Sequence, residues 1–120
     1  MNSTTTASRA PTLFRALSDR TRIRILHLLQ GGELCVCDLM QVLRIPQAKT
    51  SRHLGYLKRA GLVLAREDGL WSYYSLAPAG EPLHRKLLDC LCACSESVRE
   101  IEGDTRRAER LRKGGGCCPP

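Results

Sequence analysis

The sequence predicts a small, mostly α-helical domain with one β-hairpin, and three observations indicate this fold class. The chain has 120 residues, enough to fill one hydrophobic core but not two. Its first half holds segments with apolar residues at three- and four-residue spacings, as amphipathic helices do. After them, Asp68-Gly69 separates two β-rich runs, which is a strong hairpin signal.

Two helices are expected in the first quarter of the chain. Residues 1–10 are small and polar, and we expect them to form a disordered tail. Pro11 suits the first turn of a short helix. Asp19 then provides an N-cap for a second helix at about 20–30, whose apolar residues would face the core.

A pair of helices is expected next. Gly31-Gly32 ends the second helix, and the run ELCVCDLMQVL has the spacing of a third. Pro46 suits the first turn of a fourth helix, which runs to about Ala60 and carries polar and basic residues. A tight turn would join the third and fourth helices.

One long helix is expected after the hairpin, from about residue 81 to residue 102. Its apolar side chains form a narrow stripe that suits packing against a partner helix, namely Leu83, Leu87, Cys90, Leu91, Cys94, Val98 and Ile101. The structured domain with its dimerisation helices would span residues 11–113. Residues 114–120 would form a flexible tail that contains cysteines.

The net positive charge lies in one half of the chain. Residues 1–60 carry ten Lys and Arg against three acidic residues, whereas residues 61–120 carry nine of each. A surface for a polyanion therefore belongs in the first half. The order of helix, tight turn, basic helix and hairpin is that of a winged helix-turn-helix, in which the second helix of the pair enters the major groove of DNA.

Five side chains are the predicted contacts to double-stranded DNA. Four project from the fourth helix and one lies in the hairpin, and they are Gln47, Lys49, Ser51, Arg52 and Arg66. Gln and Arg can read base edges, whereas Lys and Ser mostly hold phosphates. We expect His53 and the aromatic residues of the hairpin to be packing residues.

The chain is rich in cysteine, with seven in 120 residues. No stretch has the length and hydrophobicity of a membrane span, and the N-terminal MNSTTTASRAP lacks the pattern of a secretory signal. We therefore expect a cytoplasmic protein with no membrane partner. In a reducing compartment, an odd number of cysteines favours metal or metalloid binding, or a redox role, over a disulfide framework.

Cys35 and Cys37 form the first candidate metal site. They stand at the start of the third helix, where main-chain amides favour the thiolate that binds soft ions. Residues at positions i and i+2 lie about 200° apart on a regular helix. Binding of one ion by both sulfurs would therefore distort the helix that supports the DNA-reading helix, which predicts a switch.

Four blocks of the chain resemble the ArsR/SmtB family of metal- and metalloid-responsive transcriptional repressors. They are ALSDRTRIRILHLL, ELCVCDL, PQAKTSRHLGYLKRAGLV and REDGLWSYYSL, in the family's order over residues 12–78. The resemblance implies a homodimer whose first and last helices form the interface. It also implies that the ion-free protein binds operator DNA and leaves it when thiophilic ions bind. The ELCVCDL block is similar to that of arsenite and antimonite repressors and to that of cadmium and lead sensors.

The chain departs from these similar proteins at three places. Met40 stands where similar arsenic sensors often have a third cysteine, and residues 1–34 lack the thiols of the N-terminal arm in cadmium and lead sensors. The ligand set of the family's zinc sensors is absent from the last helix, where His84 is the only histidine. Either the site has two cysteines only, or another cysteine completes it, from among Cys90, Cys92, Cys94, Cys117 and Cys118.

Helical geometry separates these five candidates. Cys90 and Cys94 lie inside the apolar stripe and could equally be packing residues, whereas Cys92 falls on the opposite, exposed side. Cys117 and Cys118 follow a Gly-rich tether that gives them reach. Completion of the first site by a tail thiol and a separate site on the last helix both remain open.

The leading hypothesis is a repressor that arsenite or antimonite releases from DNA, with no cofactor required. Cadmium, lead or another divalent soft metal is the alternative inducer, because the chain has enough sulfur for three or four thiolates. A repressor that responds to thiol oxidation is a further alternative. A thiol enzyme such as a small arsenate reductase is not expected, because no cysteine is followed by Arg at the six-residue offset that such enzymes use.

Overall fold

The computed structural model of the chain describes residues 2–116. In order, the elements are α1 (Asn2–Ala16), α2 (Arg20–Leu29), β1 (Leu34–Cys35), α3 (Val36–Leu43), α4 (Gln47–Arg59), β2 (Val63–Asp68), β3 (Trp71–Leu76), α5 (Pro82–Cys90), a 3₁₀ segment (Leu91–Glu96) and α6 (Glu100–Lys113). The predicted mostly helical fold with one hairpin is therefore confirmed. None of the helices in this part of the chain is long and apolar enough to cross a membrane.

The hydrophobic core is formed mainly by α1 to α4. Leucine side chains from each of these helices are fully buried in it, among them Leu13, Leu26, Leu39, Leu54 and Leu57. Burial of one such side chain stabilises a fold by about 1.5–3 kcal/mol. These contacts fix the positions of the helices relative to one another.

α1 is longer than the sequence predicts. It includes residues 2–10, which the composition assigns to a disordered tail, and does not begin at Pro11. Tertiary contacts explain the correction, since Arg9 donates from Nη2 to the carbonyl of Ala60 at 3.1 Å and forms an ion pair with Glu81 at 3.0 Å. Both partners are distant in the sequence, so local composition does not reveal them.

The predicted cap of the second helix is confirmed. Asp19 is the N-cap of α2, and its Oδ1 accepts from the main-chain N–H of Arg22 at 3.1 Å. This hydrogen bond satisfies one of the amides that a helix leaves unpaired at its start. Gly32, with φ of +128°, follows the end of the helix and directs the chain into β1.

α3 and α4 form the predicted helix-turn-helix. Arg44, directly after α3, has the left-handed φ of +60° that ends the helix and reverses the chain. Pro46 is the N-cap of α4, and Gly61 follows its C-cap with φ of +80°. The predicted helix over 46–60 therefore agrees with α4 to within a residue at each end.

The three strands form one antiparallel sheet in the order β1, β3, β2. Asp68 pairs with Trp71, so Gly69 and Leu70 form the two-residue turn, one position later than the sequence predicts. Gly69 has φ of +62°, the backbone conformation that a tight hairpin turn requires. The hairpin is thus the predicted wing.

The predicted long helix over 81–102 is interrupted. α5 ends at Cys90, and α6 begins only at Glu100, after the 3₁₀ segment. The interruption turns α6 back onto its own domain, where Ile101 and Ala108 are buried. Burial of these side chains stabilises the folded-back path of α6 relative to one continuous helix. This explains why the predicted helix is interrupted.

The interruption also corrects the predicted dimer stripe. Leu91, Val98 and Ile101 are 0%, 7% and 1% exposed within the single chain. Leu83 and Leu87 are half-buried and pack against the core. These side chains already have partners in their own chain, so they do not form a free stripe.

Candidate nucleic-acid interface and thiol site

The four predicted DNA contacts of the fourth helix lie outside its buried side. Gln47, Lys49, Ser51 and Arg52 are all exposed on α4. The buried side of the helix consists of Thr50, His53, Leu54 and Leu57. The core therefore holds α4 on one side and leaves its polar side open, as a helix that enters a DNA groove requires.

His53 packs between α2 and α4, as the sequence predicts. It is 7% exposed, and its Nδ1 lies 3.3 Å from Nη1 of Arg22. Burial lowers the pKa of His53 below its ordinary value of 6.5. Arg22 also lies over the ring of Tyr56, 4.1 Å from the centroid. These contacts fasten α4 to the rest of the domain.

Arg66, the predicted hairpin contact, is exposed on β2 but already has a partner. Its Nε and Nη2 donate to the two carboxylate oxygens of Glu33, each at 2.8 Å, and its guanidinium lies 4.4 Å from the ring centroid of Tyr73. The hydrogen bond from Arg66 lowers the pKa of the Glu33 carboxyl. A phosphate would have to compete with this carboxylate for Arg66.

Cys35 has two structural roles at once. It is the last residue of β1, where it pairs with Tyr73 of β3, and it is also the N-cap of α3. Its Sγ accepts from the main-chain N–H of Asp38 at 3.3 Å, and Asp38 Oδ2 accepts from the main-chain N–H of Cys35 at 3.4 Å. This reciprocal capping box is usually made by Ser or Thr. Here a sulfur atom supports the start of α3.

These positions correct the predicted helical geometry of the two thiols. Cys35 has φ of −84° and ψ of 166°, so it is not helical, and only Cys37 lies in the first turn of α3. The separation of about 200° on a regular helix therefore does not apply. Cys35 is buried, Cys37 is half-buried, and both line one cavity of about 410 Å³.

This cavity lies between the start of α3, the start of α4 and the hairpin. Its other lining residues are Val36, Met40, Gln47, Ser51, Leu70, Trp71, Ser72 and Tyr74. Gln47 and Ser51, two of the predicted DNA contacts, thus line the same cavity as the two cysteines. An ion bound to the sulfurs would therefore lie in the cavity that these two predicted DNA contacts also line.

The described cysteines differ in state and exposure. Cys35 and Cys37 are disulfide-bonded in the structure, whereas Cys90, Cys92 and Cys94 are free. Cys92 is exposed as predicted, and Cys90 is exposed although the sequence places it in the apolar stripe. Burial raises the pKa of the half-buried Cys94 thiol, which disfavours the thiolate.

The structure does not assemble a separate metal site on the last helices. Within residues 2–116, no group of three or more His, Cys, Asp or Glu side chains could hold a metal ion. Cys117 and Cys118, the two tail candidates, lie outside the described residues. Cys35 and Cys37, at the junction of β1 and α3, are therefore the centre of the candidate site.

α6 holds the end of α3 that leads into the turn. Arg107 donates from Nε to the carbonyl of Val42 at 2.7 Å, and Arg24 donates from Nη2 to the carbonyl of Leu43 at 3.1 Å. Both arginines also bind the carboxylate of Asp104, which is 1% exposed. Removal of one member of a buried ion pair typically costs about 3–5 kcal/mol. The network therefore fixes the C-terminal end of α3.

Sequence reasoning missed Glu33 and assigned Trp71 and Tyr74 only to packing. Glu33 binds Arg66 because β1 lies beside β3, and a strand of two residues carries no alternation that a pattern search could detect. Trp71 and Tyr74 are half-buried and line the cavity. The strand-to-core interpretation misses this cavity, which forms only when three elements meet.

The sequence of the chain is similar to those of known bacterial regulatory proteins. The family model described as bacterial regulatory protein, arsR family, matches residues 19–64. The arsenical resistance operon repressor of Escherichia coli is 44% identical over 91 residues, which cover 74% of this chain and 78% of that protein. The cadmium resistance transcriptional regulatory protein CadC homolog of Staphylococcus aureus is 45% identical over 65 residues, which cover 53% of this chain and 54% of that protein.

A solved structure extends the likeness beyond the matched segment. HlyU from Vibrio cholerae has a TM-score of 0.65 and 28% sequence identity, and the alignment covers 73% of this chain and 92% of that one. The two chains therefore share the same overall fold over nearly the whole length of that protein. The chain belongs to the arsR family of bacterial regulatory proteins, and it is a winged helix-turn-helix transcriptional regulator and not an enzyme.

Proposed function

We propose that the chain is a repressor that binds operator DNA as a homodimer and leaves it when arsenite or antimonite binds to Cys35 and Cys37. One observation carries the proposal, namely that both cysteines line the same cavity as Gln47 and Ser51 of α4. The names of the similar Escherichia coli and Staphylococcus aureus regulators, which refer to arsenical and cadmium resistance, support a thiophilic inducer. DNA binding itself requires no cofactor.

Double-stranded DNA would be bound through the exposed side of α4. Gln47 and Arg52 can read base edges in the major groove, and Lys49 and Ser51 can hold phosphates. Arg66 would add a phosphate contact from the wing when it leaves its carboxylate partner. The exposure of all five side chains supports this assignment.

Release would follow from the two roles of Cys35. Its sulfur accepts the hydrogen bond that caps α3, and its main chain pairs with Tyr73. An ion on Sγ competes with the cap, and any movement of Cys35 is passed to β3 and the wing. Because Arg107 holds the other end of α3 at Val42, the movement is confined to the start of α3 and the cavity.

The inducer must prefer the released form for this coupling to work. A ligand shifts a two-state equilibrium only by the difference between its affinities for the two states. Thiolates provide such a difference for soft ions when the released form lets both sulfurs approach one ion. Hard ions gain little from sulfur ligands and would not release the DNA.

A homodimer would place two recognition helices on one DNA duplex. Phe14 on α1 is 56% exposed, which is a large apolar surface for a helix that also supplies core residues. The interface would therefore include the Phe14 side of α1. The family resemblance likewise implies that the first helix lies in the interface.

The number of sulfur ligands decides between the classes of inducer. Three thiolates suit arsenite or antimonite, and four favour a divalent soft metal such as cadmium or lead. Either class requires reduced thiols, so we propose that the protein works in the cytoplasm. Metalloids are preferred because two sulfurs already lie at the cavity and one more completes their set.

The proposal is tested by release from DNA under reducing conditions. Fluorescence anisotropy would follow the full chain on a duplex that it has selected from a random library, during titration with arsenite, antimonite, cadmium, lead or zinc. The Cys35→Ser/Cys37→Ser double variant is expected to bind DNA normally and to resist release. Cys92→Ser, at an exposed thiol outside the cavity, is the matched control. Release of the double variant at the wild-type ion concentration would overturn the proposed site.

A response to oxidation is the second candidate function. It is favoured by the disulfide-bonded state of Cys35 and Cys37 in the structure. Two thiols and one molecule of hydrogen peroxide give one disulfide and two molecules of water, so this step changes the state of the thiol pair without any metal. If metal-free peroxide leaves DNA binding unchanged, this candidate is rejected.

A further inference from the structure

Arg44, in the turn between α3 and α4, has a backbone conformation that side chains rarely adopt. Its φ is +60° and its ψ is 47°, and within residues 2–116 every other residue with a positive φ is a glycine. These glycines are Gly32, Gly61, Gly69, Gly115 and Gly116. Glycine adopts the left-handed conformation readily, whereas a Cβ atom there costs free energy. The turn alone therefore does not explain an arginine at this position.

The contacts of Arg44 inside the domain do not explain it either. Its main-chain N–H donates to the carbonyl of Met40 at 2.8 Å, a hydrogen bond that glycine would also make. Its side chain is exposed and forms no ion pair or hydrogen bond with the residues that the structure describes. Arg24 and Arg66, by contrast, are bound to carboxylates. The guanidinium of Arg44 is thus available to a partner outside the domain.

The main chain around Arg44 is held on both sides. The carbonyls of Val42 and Leu43, directly before it, accept from arginines of α6 and α2 at 2.7 and 3.1 Å. After it, the carbonyl of Pro46, the N-cap of α4, accepts from the hydroxyl of Thr50 at 3.0 Å. The Cα atom of Arg44 is therefore fixed relative to α4, and only its side chain is free to move.

Arg44 lies three positions before Gln47, the first residue of α4. In a helix-turn-helix, the first residues of the second helix reach base edges in the major groove, and the first helix crosses the DNA backbone. A side chain at the junction of the two helices therefore lies at the edge of the groove, beside phosphates. The planar guanidinium of arginine can donate two parallel hydrogen bonds to one phosphate.

The segment around Arg44 carries positive charge only. Residues 39–66 contain six Lys and Arg and no Asp or Glu. A phosphate that approaches Arg44 therefore meets no carboxylate from the helix-turn-helix between residues 39 and 59. Arg66 differs in this respect, because it is already bound to Glu33. The charge of this segment complements that of a polyanion.

We propose that Arg44 binds a backbone phosphate of DNA at the edge of the major groove, an inference that rests on the proposed binding of DNA through α4. The arginine gives up folding free energy at the left-handed position and gains affinity for DNA. Phosphate contacts carry no sequence information, and they set the orientation of a protein on the duplex. Arg44 is therefore a positioning contact, whereas Gln47 and Arg52 would read bases.

Arg44→Gly tests the proposal in the reduced full chain without any inducing ion. Its urea midpoint is expected to rise, because glycine relieves the left-handed strain. Its DNA affinity is expected to fall about fivefold for each lost contact at about 0.15 M salt, and the slope of log K against log salt to become shallower by about 0.9. Anisotropy should show the same loss on selected and scrambled duplexes. A purely structural role would not move stability and affinity in opposite directions.

Two further variants separate a phosphate contact from a general loss of charge. Arg44→Lys keeps the charge and is expected to keep the salt slope. Arg85→Ala removes an exposed arginine of α5, outside the helix-turn-helix and the wing, and is expected to leave the slope unchanged. Unchanged affinity and slope in Arg44→Gly would overturn the proposal. Equal losses in Arg85→Ala, or the same loss of slope in Arg44→Lys as in Arg44→Gly, would also overturn it.

Duplexes with single uncharged methylphosphonates identify the phosphate itself. The position that Arg44 contacts is expected to weaken the wild type about fivefold. The same position should have no effect on Arg44→Gly, because that contact is already absent. A phosphate held by Lys49 should weaken both proteins equally. If every position that weakens the wild type weakens Arg44→Gly to the same extent, Arg44 binds no phosphate.

Failure of the contact and failure of the proposed function give different results. Release by arsenite does not enter these measurements, because no ion is added. If the wild type binds DNA and Arg44→Gly binds it equally well, the contact is wrong and the proposed binding through α4 stands. If the wild type binds none of the duplexes, both are wrong.

Discussion

Cys35 of β1 and Tyr73 of β3 are paired across the antiparallel sheet. Tyr73 also lies against the guanidinium of Arg66, 4.4 Å from ring centroid to Cζ, and Arg66 is a predicted DNA contact. The residue whose sulfur caps α3 is therefore paired directly with a residue of the wing. Through the cavity, the same sulfur is next to the start of α4. The proposed inducer site is therefore connected to both parts of the proposed DNA-binding surface, the wing and the start of α4.

DNA binding through α4 is expected to weaken steeply with salt, by a slope of about −0.9 in log K for each phosphate contact. Lys49→Ala is expected to weaken binding to all sequences and to reduce that slope by about one unit. Arg52→Ala is expected to relax sequence preference as well, at a cost of about 1–3 kcal/mol. Anisotropy at several salt concentrations, on selected and scrambled duplexes, measures both effects. Unchanged affinity and slope in both variants would exclude α4 from the interface.

The carboxylate of Glu33 is expected to restrain DNA binding because it occupies Arg66. Glu33→Gln should raise DNA affinity, whereas Arg66→Ala should lower it. Glu67→Gln removes the same charge from the residue beside Arg66 on β2, where the carboxylate of Glu67 accepts from Ser72, and is the control. Equal gains in Glu33→Gln and Glu67→Gln would show a general charge effect and contradict the specific one.

The capping role of Cys35 predicts an asymmetry between the two cysteines in stability. Under reducing conditions, Cys35→Ala loses the acceptor for the Asp38 N–H and is expected to lower the free energy of unfolding by about 0.5–2 kcal/mol. Cys35→Ser keeps an acceptor and is expected to lose less. Cys37→Ala, beyond the cap, is the comparison in urea unfolding. Equal losses for the two alanine variants would contradict the role of the sulfur as a cap.

The dimer is expected to depend on Phe14 and not on the predicted stripe. Phe14→Glu places a charge on an exposed side chain of α1, so sedimentation should report monomers while the helical circular dichroism stays unchanged. Leu91→Glu would instead bury a charge at a position that is 0% exposed and unfold the chain. A stable Phe14→Glu dimer at micromolar concentration would place the interface elsewhere.

Stability is expected to fall in mild acid because of His84. This side chain is 2% exposed, and its Nε2 has no hydrogen-bond partner among the residues that the structure describes. Burial lowers its pKa below the ordinary 6.5, the charge of Arg9 lowers it further, and Glu81 opposes the shift. As pH falls below 6.5, the unfolded chain binds the proton first. The contribution of uncharged His84 to the free energy of unfolding is therefore fully present above pH 6.5. It is lost as the pH falls through the lowered pKa of His84 in the folded chain.

His84→Leu is expected to flatten this dependence, since leucine cannot bind a proton. Urea unfolding at several pH values between about 7.5 and 5 measures it. Part of the pH dependence of the free energy of unfolding is expected to remain in this variant, because burial also lowers the pKa of His53. The same slope in the wild type and the variant would contradict the assignment to His84.

The parts of the fold with strong local signals were predictable from the sequence. Pro46 and Gly61 mark the two ends of α4, and Asp19 marks the start of α2, since each acts through its own backbone or nearest amides. The interruption before α6 was not predictable, because it depends on contacts such as Asp104 with Arg24, 80 residues away. Local sequence patterns do not report the energy of contacts between residues that are so distant in the chain.

The candidate site was predictable in its members but not in its arrangement. The spacing of Cys35 and Cys37 indicates soft-ion chemistry, and the basic helix indicates DNA. That they share a cavity with the wing depends on β1, which is too short to leave a pattern.

The capping box at the start of α3 limits which residues can replace Cys35. A chain that no longer needed its thiol switch would still have to end a strand and cap a helix at position 35. Small polar residues such as Ser, Thr, Asp or Asn meet that demand, whereas most other side chains do not. Position 37, in the first turn of α3, takes no part in this cap. If sensing were lost, position 35 would therefore still require a residue that caps the helix, and the cap would place no requirement on position 37.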